Sequence, residues 1–207
     1  MAGKYAKKSK KKWLWLPVLI LTAAAGMILA LEQGMGPARV ARLAQAELPE
    51  WVEVRTIPVD GTSRSGIKLE VLHNVVIHYV GNPGTTALQN RNYYENPESS
   101  VSSHFLVGLE GEVLLCVPLD EKSSASNWRN KDTISIEVCH PDETGKFSEA
   151  TYNALVKLTA WLLENSGLQP EDLIRHYDIT GKACPKHFVD DPESWEAFRQ
   201  HVAGTMD

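Results

Sequence analysis

An α/β fold, with a central mixed sheet flanked by helices and one transmembrane helix ahead of it, is what this sequence predicts. Three observations carry the prediction. Apolar and β-branched runs such as Leu69 to Val80 and Ile134 to Cys139 have the length and composition of buried strands. Capped stretches with apolar residues at helical spacing alternate with them, which is the pattern of an α/β domain. Ahead of both stands a lysine cluster that abuts a long uncharged run.

In chain order, residues 1–12 hold Lys4, Lys7, Lys8, Lys10, Lys11 and Lys12 and no acidic residue. The uncharged run Trp13 to Leu31 follows at once. As a helix it is roughly 28 Å long, close to the hydrocarbon thickness of a bilayer. Lysines stay on the cytoplasmic side, so the chain from Glu32 onward is expected outside, held in the cell membrane by a single pass. Small residues such as Ala23, Ala24, Ala25 and Ala30 also suit a cleaved signal, which would release the protein. The run exceeds the about 7 to 15 residues of a signal core and no clear A-x-A site follows it, which favours the anchor.

Residues 32–65 mix Gly34, Gly36, Pro37, Pro49, Pro58 and Gly61 with polar stretches and read as a linker and N-terminal arm. The domain proper is placed at 66–207, and its central strand contains the run Val75, Val76, Ile77. Thr85 or Thr86 caps a short helix to Tyr94. Ser102 to Val107 and Glu112 to Val117 form two strands, with Gly108, Glu110 and Gly111 turning between them. Ile134 to Cys139 is a further strand. Ser148 caps a helix whose Tyr152, Leu155, Val156, Thr159, Leu162 and Leu163 form one face, and Gly167 ends it. A last helix runs from about Pro192 to Val202.

The formal charge of the whole chain is -5. Setting the six N-terminal lysines aside leaves 15 basic against 26 acidic residues, so the remainder stands near -11. No nucleic-acid partner is expected from such a charge. Three cysteines, Cys116, Cys139 and Cys184, are too few for a disulfide-stapled scaffold, although a Cys116–Cys139 bridge stays open.

Three separated places offer donors for a divalent metal. They are His78 at the end of the central strand, His176 in Ile174-Arg175-His176-Tyr177-Asp178, and Cys184 in Gly181-Lys182-Ala183-Cys184-Pro185. Two imidazoles and a thiolate suit Zn2+, and three protein donors leave one tetrahedral position open, as in catalytic sites. Taken singly, each has a duller reading as a core histidine or a small buried thiol. Their positions where strands give way to loops favour a site.

The segments Val76-Ile77-His78-Tyr79, Ser102-Ser103-His104-Phe105, Ile134-Ser135-Ile136-Glu137-Val138-Cys139 and Arg175-His176-Tyr177-Asp178 through Lys182-Ala183-Cys184-Pro185 together resemble a known family. It is that of the zinc-dependent N-acetylmuramoyl-L-alanine amidases, which share a fold with phage lysozyme-type amidases and peptidoglycan recognition proteins. The resemblance runs from about Val75 to Phe198. It implies His78, His176 and Cys184 as the zinc ligands, Lys182 facing the reacting carbonyl, and Glu137 as the acid/base. Some phage members carry a tyrosine just before the His-Phe pair, where Ser103 stands here, and that departure moves the acid/base role toward Glu137.

The resemblance further implies hydrolysis of the amide between N-acetylmuramic acid and L-alanine in peptidoglycan; the N-terminal topology puts that encounter outside the membrane, and a monomer is expected. Two rivals remain: a receptor of the same fold that binds peptidoglycan without cutting it, and a closed structural zinc site with a fourth protein ligand. His104 is read as structural or cleft-lining, and surface or loop roles are assigned to His73, His140, His187 and His201. Asn127, Trp128 and Asn130 suit either a sugar- or peptide-binding groove or a polar loop around one packed tryptophan.

Overall fold

The computed structural model describes residues 35–59 and 62–206. Within the unit Gly36–Asp207, residues 36–45 form helix α1. There follow β1 (Val52–Val54), β2 (Asn74–Tyr79), α2 (Ala87–Tyr93), β3 (Phe105–Val107), β4 (Val113–Leu115) and β5 (Thr133–Val138). The long helix α3 (Glu149–Ser166), β6 (Leu173–Arg175), α4 (His176–Thr180), α5 (Lys186–Asp190) and α6 (Pro192–Thr205) complete it. The six strands form one sheet in the order β1-β4-β3-β5-β2-β6. Only β3 and β4 run antiparallel, so the sheet is mixed as expected.

Side-chain alternation divides the sheet into two faces. Val75 and Ile77 of β2, Phe105 and Val107 of β3, and Ile134, Ile136 and Val138 of β5 join one large core with α1, α3, α5 and α6. Phe188, Trp195 and Phe198 form an aromatic stack there, with Phe188 and Phe198 centroids 5.2 Å apart. On the other face, Leu106, Leu114, Cys116 and Cys139 make a smaller cluster with Ala87 and Tyr94 from the α2 segment. The register puts His78 and Glu137 on this second face, since both alternate with residues of the large core.

The caps read from the sequence are present. Ser148 accepts from the Thr151 amide at 3.1 Å. Gly167 ends α3 at φ +79, a left-handed conformation open to glycine at little cost. Thr86 caps α2 in a reciprocal box with Gln89.

Part of the stretch read as linker and N-terminal arm is packed structure. Helix α1 buries Val40 and Leu43, β1 pairs in parallel with β4, and Ile57 is fully buried. Arg55 and Ile57 amides extend that pairing to Leu115 and Cys116 carbonyls at 2.9 Å each. A three-residue edge strand carries too little periodicity to announce itself, and its partner strand decides it. Among the described residues no helix is long and apolar enough to cross a membrane. The expected basic segment 1–12 and membrane span 13–31 lie outside the described residues.

Cys116, Cys139 and Cys184 are all free and buried, so the conceivable Cys116–Cys139 bridge is not formed. Burial pushes the thiols of Cys116 and Cys139 up to about 12, which keeps them inert. His104 is fully buried and structural: its Nε2 donates to the Glu121 carbonyl at 2.9 Å and its Nδ1 accepts the Ser135 amide at 3.0 Å. His140, expected at a surface or loop, is in a loop but buried, its ring tilted against Tyr79 with centroids 5.0 Å apart.

Candidate active site

Three neighbouring parallel strands deliver the site. His78 on β2 is the direct register partner of Glu137 on β5. On its other side β2 pairs with β6, where Ile77 faces Arg175, so His176, the next residue, emerges beside His78 as β6 ends and α4 begins. The entry into α4 is fixed by Asp178, which accepts the Arg175 amide at 2.8 Å and binds its guanidinium. Arg175 also donates to the Phe188 carbonyl at 2.9 Å, tying this corner to the aromatic core. Cys184 closes the group from the loop after α4, its carbonyl accepting the Tyr177 amide at 2.8 Å.

His78, His176 and Cys184 therefore converge, with one donor atom from each lying within 4.8 Å of the others. The two imidazole centroids are 4.6 Å apart. All three side chains are buried, and the site opens into a cleft of about 520 Å3 that is also lined by Glu137, Lys182 and Tyr94. Glu137 keeps a fifth of its side chain accessible, yet its Oε2 is buried without a hydrogen-bond partner. Its Oε1 lies 3.9 Å from Nδ1 of His78. A buried carboxylate oxygen left without a donor is costly unless something else is meant to meet it.

Electrostatics agree with a cation position. Burial, and then the neighbouring His176 and Lys182, hold His78 well below the usual histidine range. Burial and Lys182 lower His176 in the same way, so both rings are neutral with a lone pair to give. Burial and the Glu137 charge push the Cys184 thiol up to about 12, only partly offset by the Tyr79 amide and Lys182. Protein groups alone thus keep that thiol protonated, and a divalent cation held there would reverse the balance. Two neutral imidazoles, one thiol and an unpartnered carboxylate beside them fit a zinc-type ion, whose bonds to such donors are about 2.0–2.3 Å.

All five residues singled out in the sequence, His78, His176, Cys184, Glu137 and Lys182, line this one cleft. At position 103 a serine stands as the sequence shows, and a phenol reaches it from residue 94: the Tyr94 hydroxyl lies 2.9 Å from Ser103 Oγ. Ser126, which carried no signal in the sequence, is fully buried with its Oγ 3.2 Å from Nε2 of His78. Asn127 and Asn130 line the cleft, whereas Trp128 between them is 64% exposed, so it is not the packed tryptophan of the duller reading.

The family profile described as N-acetylmuramoyl-L-alanine amidase matches residues 69–187, more than half of the chain and all three converging donors. The chain belongs to the N-acetylmuramoyl-L-alanine amidase family. It is 31% identical over 171 residues to the amidase BlyA of Bacillus subtilis (strain 168), covering 72% of this chain and 46% of that protein. To CwlL of Bacillus licheniformis it is 29% identical over 163 residues, 70% of this chain and 45% of the relative. The chain thus spans about half the length of the curated relatives it matches. Among solved structures, the catalytic domain of XlyA superposes with a TM-score of 0.64 at 26% identity, covering 73% of this chain and 98% of that domain. PlyL, at 20% identity and a TM-score of 0.66 over 75% of this chain and 99% of its own, shares the fold.

One consequence of the family site is a pH effect in the metal-free protein. Burial pushes Glu137 from an ordinary 4.5 up to about 8, against the pull of Lys182. The folded state then holds a proton that the unfolded chain has lost, so this stabilisation is full below about 4.5 and disappears as pH rises through about 8. The lowered histidines act oppositely, removing stability as pH falls below about 6.5. Between pH 6.5 and 8 the carboxyl dominates. Chelated wild-type protein should lose up to about 2 kcal/mol across that window, since one proton contributes about 1.4 kcal/mol per pH unit. Urea denaturation should show the loss in wild type and little of it in Glu137→Gln; equal losses in both would refute the assignment.

Proposed function

We propose that this chain is a zinc-dependent hydrolase that cuts the amide between N-acetylmuramic acid and L-alanine in peptidoglycan, working as a monomer. The observation that carries the reading is the convergence of two imidazoles and a thiol beside an unpartnered carboxylate. His78, His176 and Cys184 would hold the ion, which when bound supplies Lewis acidity and a nucleophile at neutral pH. The presence of all three donors, with Glu137 and Lys182, argues for cleavage over mere binding. No fourth His, Cys, Asp or Glu joins the donor group among the described residues, which argues against a closed structural site.

An amide has a weak electrophilic carbon and a poor leaving group. Glu137, whose buried Oε2 has no hydrogen-bond partner of its own, takes the proton of the attacking water and later returns it to the departing amine nitrogen. Lys182 sets a fixed positive charge where the oxyanion develops, a contribution of about 3 kcal/mol in comparable sites. Asn127 and Asn130 offer hydrogen bonds to a glycan in the cleft, and the exposed Trp128 that follows Asn127 in the chain carries a flat apolar face. The apolar run 13–31 would tether the enzyme to the cell membrane with the domain outside.

The test is to incubate the purified full-length chain with peptidoglycan and analyse the products by mass spectrometry. Stem peptides with a free L-alanine amino terminus, and glycan strands stripped of peptide, are expected. Binding without product, or cleavage between sugars, would overturn the reading.

A further inference from the structure

Each imidazole of the site has its Nε2 engaged by one of two consecutive residues. His176 Nε2 lies 2.9 Å from Oδ1 of Asn127, and His78 Nε2 lies 3.2 Å from Oγ of Ser126. An amide oxygen can only accept, so Nε2 of His176 carries the hydrogen and its lone pair is on Nδ1. For His78, Nδ1 is the nitrogen that lies 3.9 Å from the Glu137 carboxylate, and Ser126 takes the other one.

The loop that makes these contacts is strained and braced. Asn127 has φ +55, the only non-glycine residue in the left-handed region among the described residues. Asparagine tolerates that conformation better than most side chains, but it still costs free energy and persists only where surroundings enforce it. Here they do. Asn130 Oδ1 accepts the Ala125 and Ser126 amides at 3.1 and 2.6 Å. Arg129 is pinned by Asp132 at 2.8 Å and by Asn74 Oδ1. What the strained turn achieves is to present an amide oxygen to His176 directly after presenting a hydroxyl to His78.

We propose that Ser126 and Asn127 are positioning residues: Asn127 fixes His176 as the Nε2–H tautomer, Ser126 holds the His78 ring by its Nε2, and both Nδ1 atoms are thereby turned toward one metal position. The inference rests on the metal reading of the site given above. Such outer partners orient a ligand ring and raise its basicity, and losing one typically weakens metal affinity about 10–100-fold.

The experiment uses the full-length chain, with zinc affinity measured by competition against a chromophoric chelator and ring 15N shifts recorded on the metal-free protein. In wild type His176 should give the Nε2–H signature. Asn127→Gly keeps the left-handed turn without strain and removes the acceptor, so an affinity loss of about 10–100-fold would come from the lost bond. Asn127→Asp restores an acceptor and should bind at least as tightly as wild type. Ser126→Ala should weaken binding in the same range by releasing the His78 ring. An Nδ1–H signature for His176 in wild type, unchanged affinity in Asn127→Gly, or an Asn127→Asp as weak as Asn127→Gly would overturn the inference. Wild type that binds no zinc would sink the metal reading itself, whereas wild type and Asn127→Gly binding equally well would sink only the positioning role.

Discussion

Replacing Cys184 by serine is expected to remove tight zinc binding and wall hydrolysis together while the chain stays folded. With an ion bound, Cys184 would be the one anionic donor in the triad, and a serine hydroxyl neither ionises at neutral pH nor offers a soft lone pair. Cys184 is 2% exposed, so water cannot easily replace the missing donor. The affinity loss should exceed the about 100-fold that outer-sphere partners can cost, because a direct donor is removed. The fold should suffer less, about 1 kcal/mol for the changed buried group, or a Tm fall of about 2–4 °C. Metal analysis after dialysis measures the first effect. Adding zinc should raise the wild-type Tm by mass action and leave that of Cys184→Ser unmoved. A serine variant that retains one zinc and full hydrolysis would take Cys184 out of the donor set.

Much of this site was legible because its residue types are rare in their settings. A carboxylate among Ile134, Ile136 and Val138 needs a reason, and so do two histidines and a cysteine at strand or loop ends. Local signals of the fold were equally plain where elements are long, as with the Ser148 and Gly167 caps of α3. What the sequence does not display is register. That His78 meets Glu137 follows from parallel pairing of β2 and β5, and that His176 flanks them follows from β6, a strand of three residues with no readable periodicity. The five-residue helices α4 and α5 are too short for a periodic signal. Helix α1 and β1 were hidden among the glycines and prolines of 32–65, because their structure comes from packing against distant segments. Ser126 and Asn127 look like ordinary polar loop residues until a left-handed turn aims them at two rings.

Glu137→Gln should separate chemistry from metal binding. The substitution preserves shape and leaves His78, His176 and Cys184 in place, so zinc content should match wild type. Glutamine cannot accept the proton of the attacking water, and loss of such a group costs about 10²–10⁴-fold in rate. The loss should fall on kcat with little change in KM, because the carboxylate acts on the reacting atoms and not on the bound glycan. The pH profile provides an independent mark. A base must be ionised to act, and burial pushes this carboxyl up to about 8 in the metal-free fold, with a nearby dication drawing it down again. Wild-type kcat should therefore climb on the acid side along a limb that tracks one ionisation, and the residual activity of Glu137→Gln should lack that limb. Lys182→Met should behave differently, with a loss of about 10²–10³-fold and the acid limb retained, because it removes a fixed charge and no proton acceptor. If Glu137→Gln kept its full rate, or lost zinc along with rate, the carboxylate would be a structural neighbour of His78 and the proton would have to leave by another group in the cleft.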